Sequence, residues 1–359
     1  MRREPLRSPG RLGPLIRQVT RAPAARILLL SLSLAAAGIC LFDPAWGFSS
    51  PADSASAPPG SRATRLTVEQ AEQDASANIR VIRDLTYAAV DDKALLLDLY
   101  LPSEQTGPYP LIVWVHGGGW RSGSKENPRL ALTMVSRGYA VASINYRLSH
   151  EAIFPAQIQD VKAAIRWLRA NAAAWDLDPD RIGAWGSSAG GHLVALLGTS
   201  AGVDLFEQVG DHQDQSSRVQ AVVDFYGPID FLQMDSMLGR RNQWHSSPSS
   251  SVSLFLGGPA LQNREKALAA SPLSYITPDD PPFLIVHGKE DRIVPYQQSV
   301  LFYEALRRAG IEATLILLSE AGHGGPAFND PQLLDQVASF FDRHLREVRP
   351  RAGEVAPSE

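Results

Sequence analysis

The chain has 359 residues, 44% apolar and 20% charged, which is enough for one large globular domain or two small ones with a sizeable core, and excludes disorder as the main state. Its 34 Lys and Arg against 38 Asp and Glu give a net charge of −4, but the first 47 residues hold seven Arg against one Glu and one Asp, so the rest carries −9. An acidic body without a basic stripe lacks the electrostatic footprint of a nucleic-acid binder, and the only cysteine, Cys40, lies in the N-terminal apolar run, so the body has neither a disulfide nor a thiolate metal site.

In chain order, residues 1–47 read as an export signal. Arg-rich residues 2–26 precede sixteen uncharged, mostly apolar residues from Ile27 to Phe42, and small residues follow. Cleavage fits Ala35-Ala36-Ala37 or Ala45-Trp46-Gly47. The alternative is an uncleaved anchor with an exported catalytic domain, although sixteen residues fall short of the roughly 20 that a spanning helix needs. Contact with a membrane is expected only through that segment. Residues 48–77 are a Ser, Ala and Pro-rich linker and lead-in, the folded body runs over 78–348, and 349–359 form a disordered tail.

Inside the body, Leu95, Leu97, Leu99 and Leu101 recur at period two, which predicts an early strand with one buried face. The near-continuous apolar runs Pro110 to Gly117, Tyr139 to Tyr146, Arg181 to Ser188, Val219 to Gly227 and Pro282 to Gly288 predict strands of a parallel sheet buried on both sides. Ala313 to Leu318 is a further strand. Ile158, Val161, Ile165 and Leu168 follow helical spacing behind Pro155, and further helices are expected after Ser188, over Tyr296 to Ala309 and from Pro331 to about Leu345. This alternation is that of an α/β fold with a mostly parallel central sheet covered by helices on both faces, whose chemistry collects at the carboxyl ends of the strands.

Gly186-Ser187-Ser188-Ala189-Gly190 is a G-x-S-x-G sequence where an apolar strand meets a helical run, the context in which the central serine becomes a nucleophile. A hydroxyl needs a base, and the base needs a carboxylate to fix its tautomer. His323 lies in a Gly-flanked loop after the strand Ala313 to Leu318, and Asp291 lies in HGKEDRIVP, where Glu290 competes with it. The order Ser188, Asp291, His323 is that of a hydrolase on this type of sheet. His116-Gly117-Gly118-Gly119-Trp120 follows the first parallel strand, and its glycines leave amides free to stabilise an oxyanion, with Gly118, Gly119 and Ala189 as candidates. His116 is expected to anchor that loop and His192 to be structural. No G-K-[ST] follows, so the loop is not a phosphate cradle.

Together HGGGW, GSSAGGH, HGKED and EAGH resemble the α/β-hydrolase superfamily, and more narrowly its carbohydrate esterase and feruloyl esterase-like branch, near the hormone-sensitive-lipase-like carboxylesterases. GYAVASINYRLS, FPAQIQDVKAAIRWLRANA and DPDRIGAWGSSAGGHLVALLGTS are similar to that branch, and the likeness covers most of residues 80–345. The resemblance implies an α/β-hydrolase fold with a small cover insertion, Ser188 as nucleophile, Asp291 as acid, His323 as base, and the amides of Gly118, Gly119 and Ala189 as oxyanion hole. It also implies no metal or organic cofactor, and esters of small molecules or carbohydrates as substrates. Related sequences are peptidases or amidases, so cleavage of amides by the same triad stays open; an inactive binding module would have lost the serine, the histidine or the loop glycines.

Residues 228–281 sit where such enzymes insert substrate-facing cover, and their polar stretch, including Arg240 to Val252, favours a short or aromatic acyl group, or a sugar ester, over long-chain lipid. Trp120 and Tyr226 are candidate lining residues. Tyr226 and Trp244 stack on a ring in one reading and are packed cover residues in the other.

Overall fold

The computed structural model describes residues 79–126, 128–239 and 244–346. The expected signal (1–47), linker (48–77) and tail (349–359) lie outside the described residues. Eight strands form one sheet in the order β1-β2-β4-β3-β5-β6-β7-β8: β1 (Ile79–Val90), β2 (Lys93–Pro102), β3 (Tyr109–Val115), β4 (Ala140–Ile144), β5 (Leu177–Ser187), β6 (Ala221–Phe225), β7 (Phe283–Gly288) and β8 (Ala313–Leu318). The pairs β1/β2 and β2/β4 are antiparallel, and every pair from β4 through β8 is parallel.

Strand alternation divides the core into two layers. Leu111, Val113 and Val115 of β3 face one side, where they meet Ile158, Val161, Ile165 and Leu168 of helix α2 (Ala156–Ala170, after α1 at Arg129–Leu132). The same layer takes Leu193 and Leu196 of α3 (Ala189–Thr199). Ile112 and Trp114 face the other side, with Trp185, Phe225 and the helix Pro331–Phe341. Trp114 and Trp185, register partners on β3 and β5, meet edge to face at 5.5 Å. Because both faces are covered, the central strands need apolar residues at nearly every position, which is why they read as continuous runs.

Two expectations are corrected and one element is added. The strand at Leu95 to Leu101 is buried on both faces, since Asp98 is fully buried and Tyr100 nearly so; Asp98 is matched by Lys125 at 2.8 Å and Arg83 at 3.2 Å. The helix begun at Pro331 ends at Phe341, and Asp342–Arg346 follows as a π-helical turn. Before β2 stands the unforeseen β1, whose pairing slips between Ile82 and Leu85 and again between Thr86 and Ala88. Such bulges break the period-two pattern that a strand would otherwise show.

The cover segment holds three short helices, α4 (Met234–Met237), α5 (Ser251–Leu256) and α6 (Arg264–Ala269), before α7 (Gln297–Arg308) and α8 (Pro331–Phe341) complete the order. No helix among the described residues is long and apolar enough to cross a membrane.

Candidate active site

The turn between β5 and α3 carries Ser188 at φ 56° and ψ −119°, a conformation that L-residues avoid unless the surroundings impose it. The glycines explain how. A Cβ on Gly186 would stand 2.3 Å from the Gly190 carbonyl oxygen, and one on Gly190 would stand 2.0 Å from that of Val115. The backbone can close this tightly only where both side chains are absent. The Ser188 amide donates to the Phe225 carbonyl at 2.8 Å, and the Ser188 carbonyl accepts from His192 at 2.9 Å. The hydroxyl therefore projects from a turn fixed on both sides.

The structure brings Ser188, His323 and Asp291 into one line. Ser188 Oγ lies 2.8 Å from His323 Nε2, and His323 Nδ1 lies 2.6 Å from Asp291 Oδ2. With a carboxylate facing Nδ1, that nitrogen carries the proton and Nε2 is left as the acceptor for the serine hydroxyl. Asp291 Oδ1 accepts from the Ile293 and Val294 amides at 2.8 and 2.9 Å, so the carboxylate also closes the turn that follows it. Burial would push the Asp291 carboxyl up, but hydrogen bonds from His287 and His323 outweigh it and hold the group well below the usual carboxylate range. Glu290 is exposed, and its backbone amide donates to the Ala321 carbonyl at 2.9 Å.

His287 was not singled out in the sequence. It is fully buried on β7, its Nε2 3.2 Å from Asp291 Oδ2 and 2.9 Å from the Val294 carbonyl, its Nδ1 2.7 Å from Ser299 Oγ. Two acceptors at Nε2 place the proton there, so the Ser299 hydroxyl donates to Nδ1 and Asp291 receives a second imidazole. The only sequence signal was the histidine four positions before Asp291 in HGKED.

The glycine loop after β3 faces the serine. Gly118 and Gly119 have φ of 109° and 60°. The Gly118 carbonyl accepts from the Arg121 and Ser122 amides, both at 3.2 Å, which closes the loop into a tight turn. Ala189 is the first residue of α3, where helix geometry leaves its amide without an internal acceptor. His116 stacks on Tyr146 at 4.3 Å, and its Nδ1 donates to the Gly117 carbonyl at 2.7 Å. Burial lowers His116 to about 4, and His192, which donates from Nε2 to the Ala270 carbonyl at 2.7 Å, likewise to about 4. Both are neutral and structural at physiological pH.

Ser188, His323, Ala189 and the Gly117 to Gly119 loop line a cleft of about 540 Å³. Trp120 and Tyr226 both border it. The Trp120 ring, however, is only 2% exposed and stacks on Phe255 at 4.4 Å, so it is chiefly the wall's support. Tyr226, at φ 46°, lies tilted against the His323 ring at 4.8 Å and holds the imidazole from the side. Trp244, 45% exposed, borders the cleft rather than packing as cover, and Met234 turns inward beside it. Among the described residues no cluster of His, Cys, Asp or Glu is arranged to hold a metal ion.

The BD-FAE family model matches residues 97–306 of this chain. The chain is 34% identical over 206 residues to the probable carboxylic ester hydrolase LipM of Mycobacterium tuberculosis, a match spanning 56% of this chain and 46% of LipM. It is 35% identical over 223 residues to the esterase LipQ of the same organism, covering 61% and 50% of the two chains. The chain thus spans about half the length of these relatives. Among solved structures it is similar to a truncated carbohydrate esterase from gut microbiota, with TM-score 0.68, 34% identity and coverage of 74% of this chain and 96% of that one. A thermophilic esterase of Thermogutta terrifontis gives TM-score 0.61 at 29% identity, covering 77% and 95%.

Proposed function

This chain belongs to the BD-FAE family of α/β-hydrolase proteins, and from that premise we propose that it is an exported serine hydrolase that cleaves carboxylic esters with short or aromatic acyl groups, carbohydrate esters among them. The observation that carries the reading is the line from Ser188 Oγ through His323 to Asp291, at 2.8 and 2.6 Å, beneath the Gly118 and Gly119 turn.

In this reading the Ser188 hydroxyl attacks the ester carbonyl while His323 Nε2 takes its proton. The negative oxygen of the tetrahedral intermediate is held by the amides of Gly118, Gly119 and Ala189, a stabilisation whose loss typically costs about 100- to 1000-fold per donor. His323 then returns the proton to the leaving alkoxide, which departs as the alcohol. Water, deprotonated by the same imidazole, releases the acid from Ser188. Asp291 keeps the imidazole in the required tautomer and stabilises it when charged.

The supports for a short acyl group are Ser249, Ser250 and Ser251, which put hydroxyl-bearing side chains along the cleft at the start of α5 and set them against the apolar Met234, Val252, Ile293 and Val294 of the same lining. The test is a panel of acetylated xylan, a feruloyl ester and soluble monomeric esters of increasing acyl length. Turnover should peak from acetyl to butyryl or with small aromatic acyl groups and fall at least about tenfold beyond ten carbons. Ser188→Ala should abolish both turnover and fluorophosphonate labelling; labelling that persists in this variant, or a maximum at ten carbons or longer, contradicts the proposal.

A further inference from the structure

Among the described residues the cleft is bordered by no aspartate or glutamate, although the body of the chain is strongly acidic. Its bordering cations among the described residues are Arg121 and, when protonated, His245 and His323. His323 is engaged with Ser188, and His245 Nε2 donates to the Ile293 carbonyl at 2.8 Å. Arg121 differs from both. Its guanidinium has no ion pair and no side-chain hydrogen bond among the described residues, and the residue is exposed.

Its backbone is nevertheless fixed. The Arg121 amide donates to the Gly118 carbonyl at 3.2 Å, so the side chain springs from the same turn that presents the oxyanion amides. Trp120 and Arg121, neighbours on this turn, differ in exposure, the first buried and the second exposed. Trp120 is driven inward against Phe255, Phe231 and His192, and Arg121 remains at the open mouth. With the small acyl group proposed above, the alcohol half of the ester is the part long enough to reach that mouth, the inner wall being closed by the aromatic cluster. An unpaired guanidinium offers a planar, permanently charged fork suited to a carboxylate.

We infer that Arg121 is a binding position for an anion on the alcohol side of the scissile bond, and that the ester cleaved is one whose alcohol carries a carboxylate, as an acidic sugar does. The inference rests on the hydrolase reading above and narrows its substrate. The pair is exposed, so its effect is modest and screened by salt over a Debye length of about 10 Å at 0.1 M.

The experiment compares kcat/KM for 3-acetoxybenzoate and for its methyl ester, which share the acyl group and the aryl leaving group and differ in charge. The ratio of the two is taken in the wild type and in Arg121→Gln and Arg121→Lys, so that any general effect of the substitution on turnover cancels. The expected ratio is about fivefold lower in Arg121→Gln than in the wild type. Arg121→Lys should retain most of the preference, and raising the salt to 1 M should remove it from the wild type. A ratio equal in wild type and Arg121→Gln overturns the role of Arg121 while leaving the esterase intact. A wild-type protein that hydrolyses neither compound overturns the hydrolase reading and this inference with it.

Discussion

Asp291 is held by four donors, two backbone amides on one oxygen and two imidazoles on the other. An amide in its place would present an N–H group to one of these donors and reverse the tautomer of His323. Asp291→Asn is therefore expected to lower kcat on the order of 10⁴-fold, the size of the wrong-tautomer effect in serine proteases. Glu290→Gln, altering an exposed neighbour, should change kcat by less than about twofold; steady-state kinetics on one soluble ester ranks the two, and the reverse order would reassign the acid.

A second carboxyl matters for stability instead. Asp224 is fully buried on β6, accepts the Gly227 amide through Oδ1 at 2.9 Å, and has no partner for Oδ2 among the described residues. Burial raises it from 3.8 to about 7. A carboxyl whose folded value is raised holds its proton longer in the folded state, so its contribution to stability is full below about pH 4 and is lost as pH rises towards 7. The loss is at most about 4 kcal/mol on the scale of 1.36 kcal/mol per unit. Asp224→Asn should flatten the dependence of Tm on pH across that window relative to the wild type, which calorimetry at several pH values measures.

Helix α5 shows how a short element gains order from what it covers. Ser250 caps it, its Oγ accepting the Ser253 amide at 3.0 Å; the Phe255 carbonyl accepts from the Phe154 amide at 2.8 Å, and the Phe255 ring lies nearly parallel to Trp120, tilted by 17°. Six residues are too few to hold a helix alone, so the aromatic stack is the anchor. Phe255→Ala should cost about 3–5 kcal/mol in denaturant unfolding and shift the acyl preference towards longer chains as the wall behind Trp120 opens. The parallel strands and long helices were legible because their burial imposes unbroken apolar runs or a 3.6-residue period. The helices α4, α5 and α6 were not, since four to six residues carry no period, and β1 was hidden by its bulges. At the site, Ser188, Asp291 and His323 could be read because glycine-bounded strand ends and chain order mark them. His287 could not: it reads as one more residue of an apolar strand, and its partner Ser299 belongs to a helix eleven residues after the strand's end at Gly288. Nor could the exposed position of Arg121, which depends on the turn drawn shut by the Gly118 carbonyl.

At the scale of the whole molecule, charge and apolar character are segregated along the chain, with seven arginines and the apolar run confined to the first 47 residues and an acidic body after them. On the proposed export, expression of the full chain should yield a species lacking roughly its first 37 to 47 residues, the cleavage that the two small-residue sites would fit. N-terminal sequencing of secreted and membrane fractions measures this; an intact Met1 in the membrane fraction is the outcome of a retained anchor.

Ser188 and His323 are 135 positions apart, and the histidine follows β8, the strand at the margin of the sheet. At the usual pace of ribosomal synthesis the serine is made on the order of ten seconds before its base. During that interval the glycine loop and the hydroxyl both exist, but nothing is present to accept the proton. On the proposed mechanism reactivity would then arrive as a step, when the last strand docks and delivers the imidazole. If Ser188 and His323 act as proposed, the order of assembly is a clock that must run before any acyl group can be transferred.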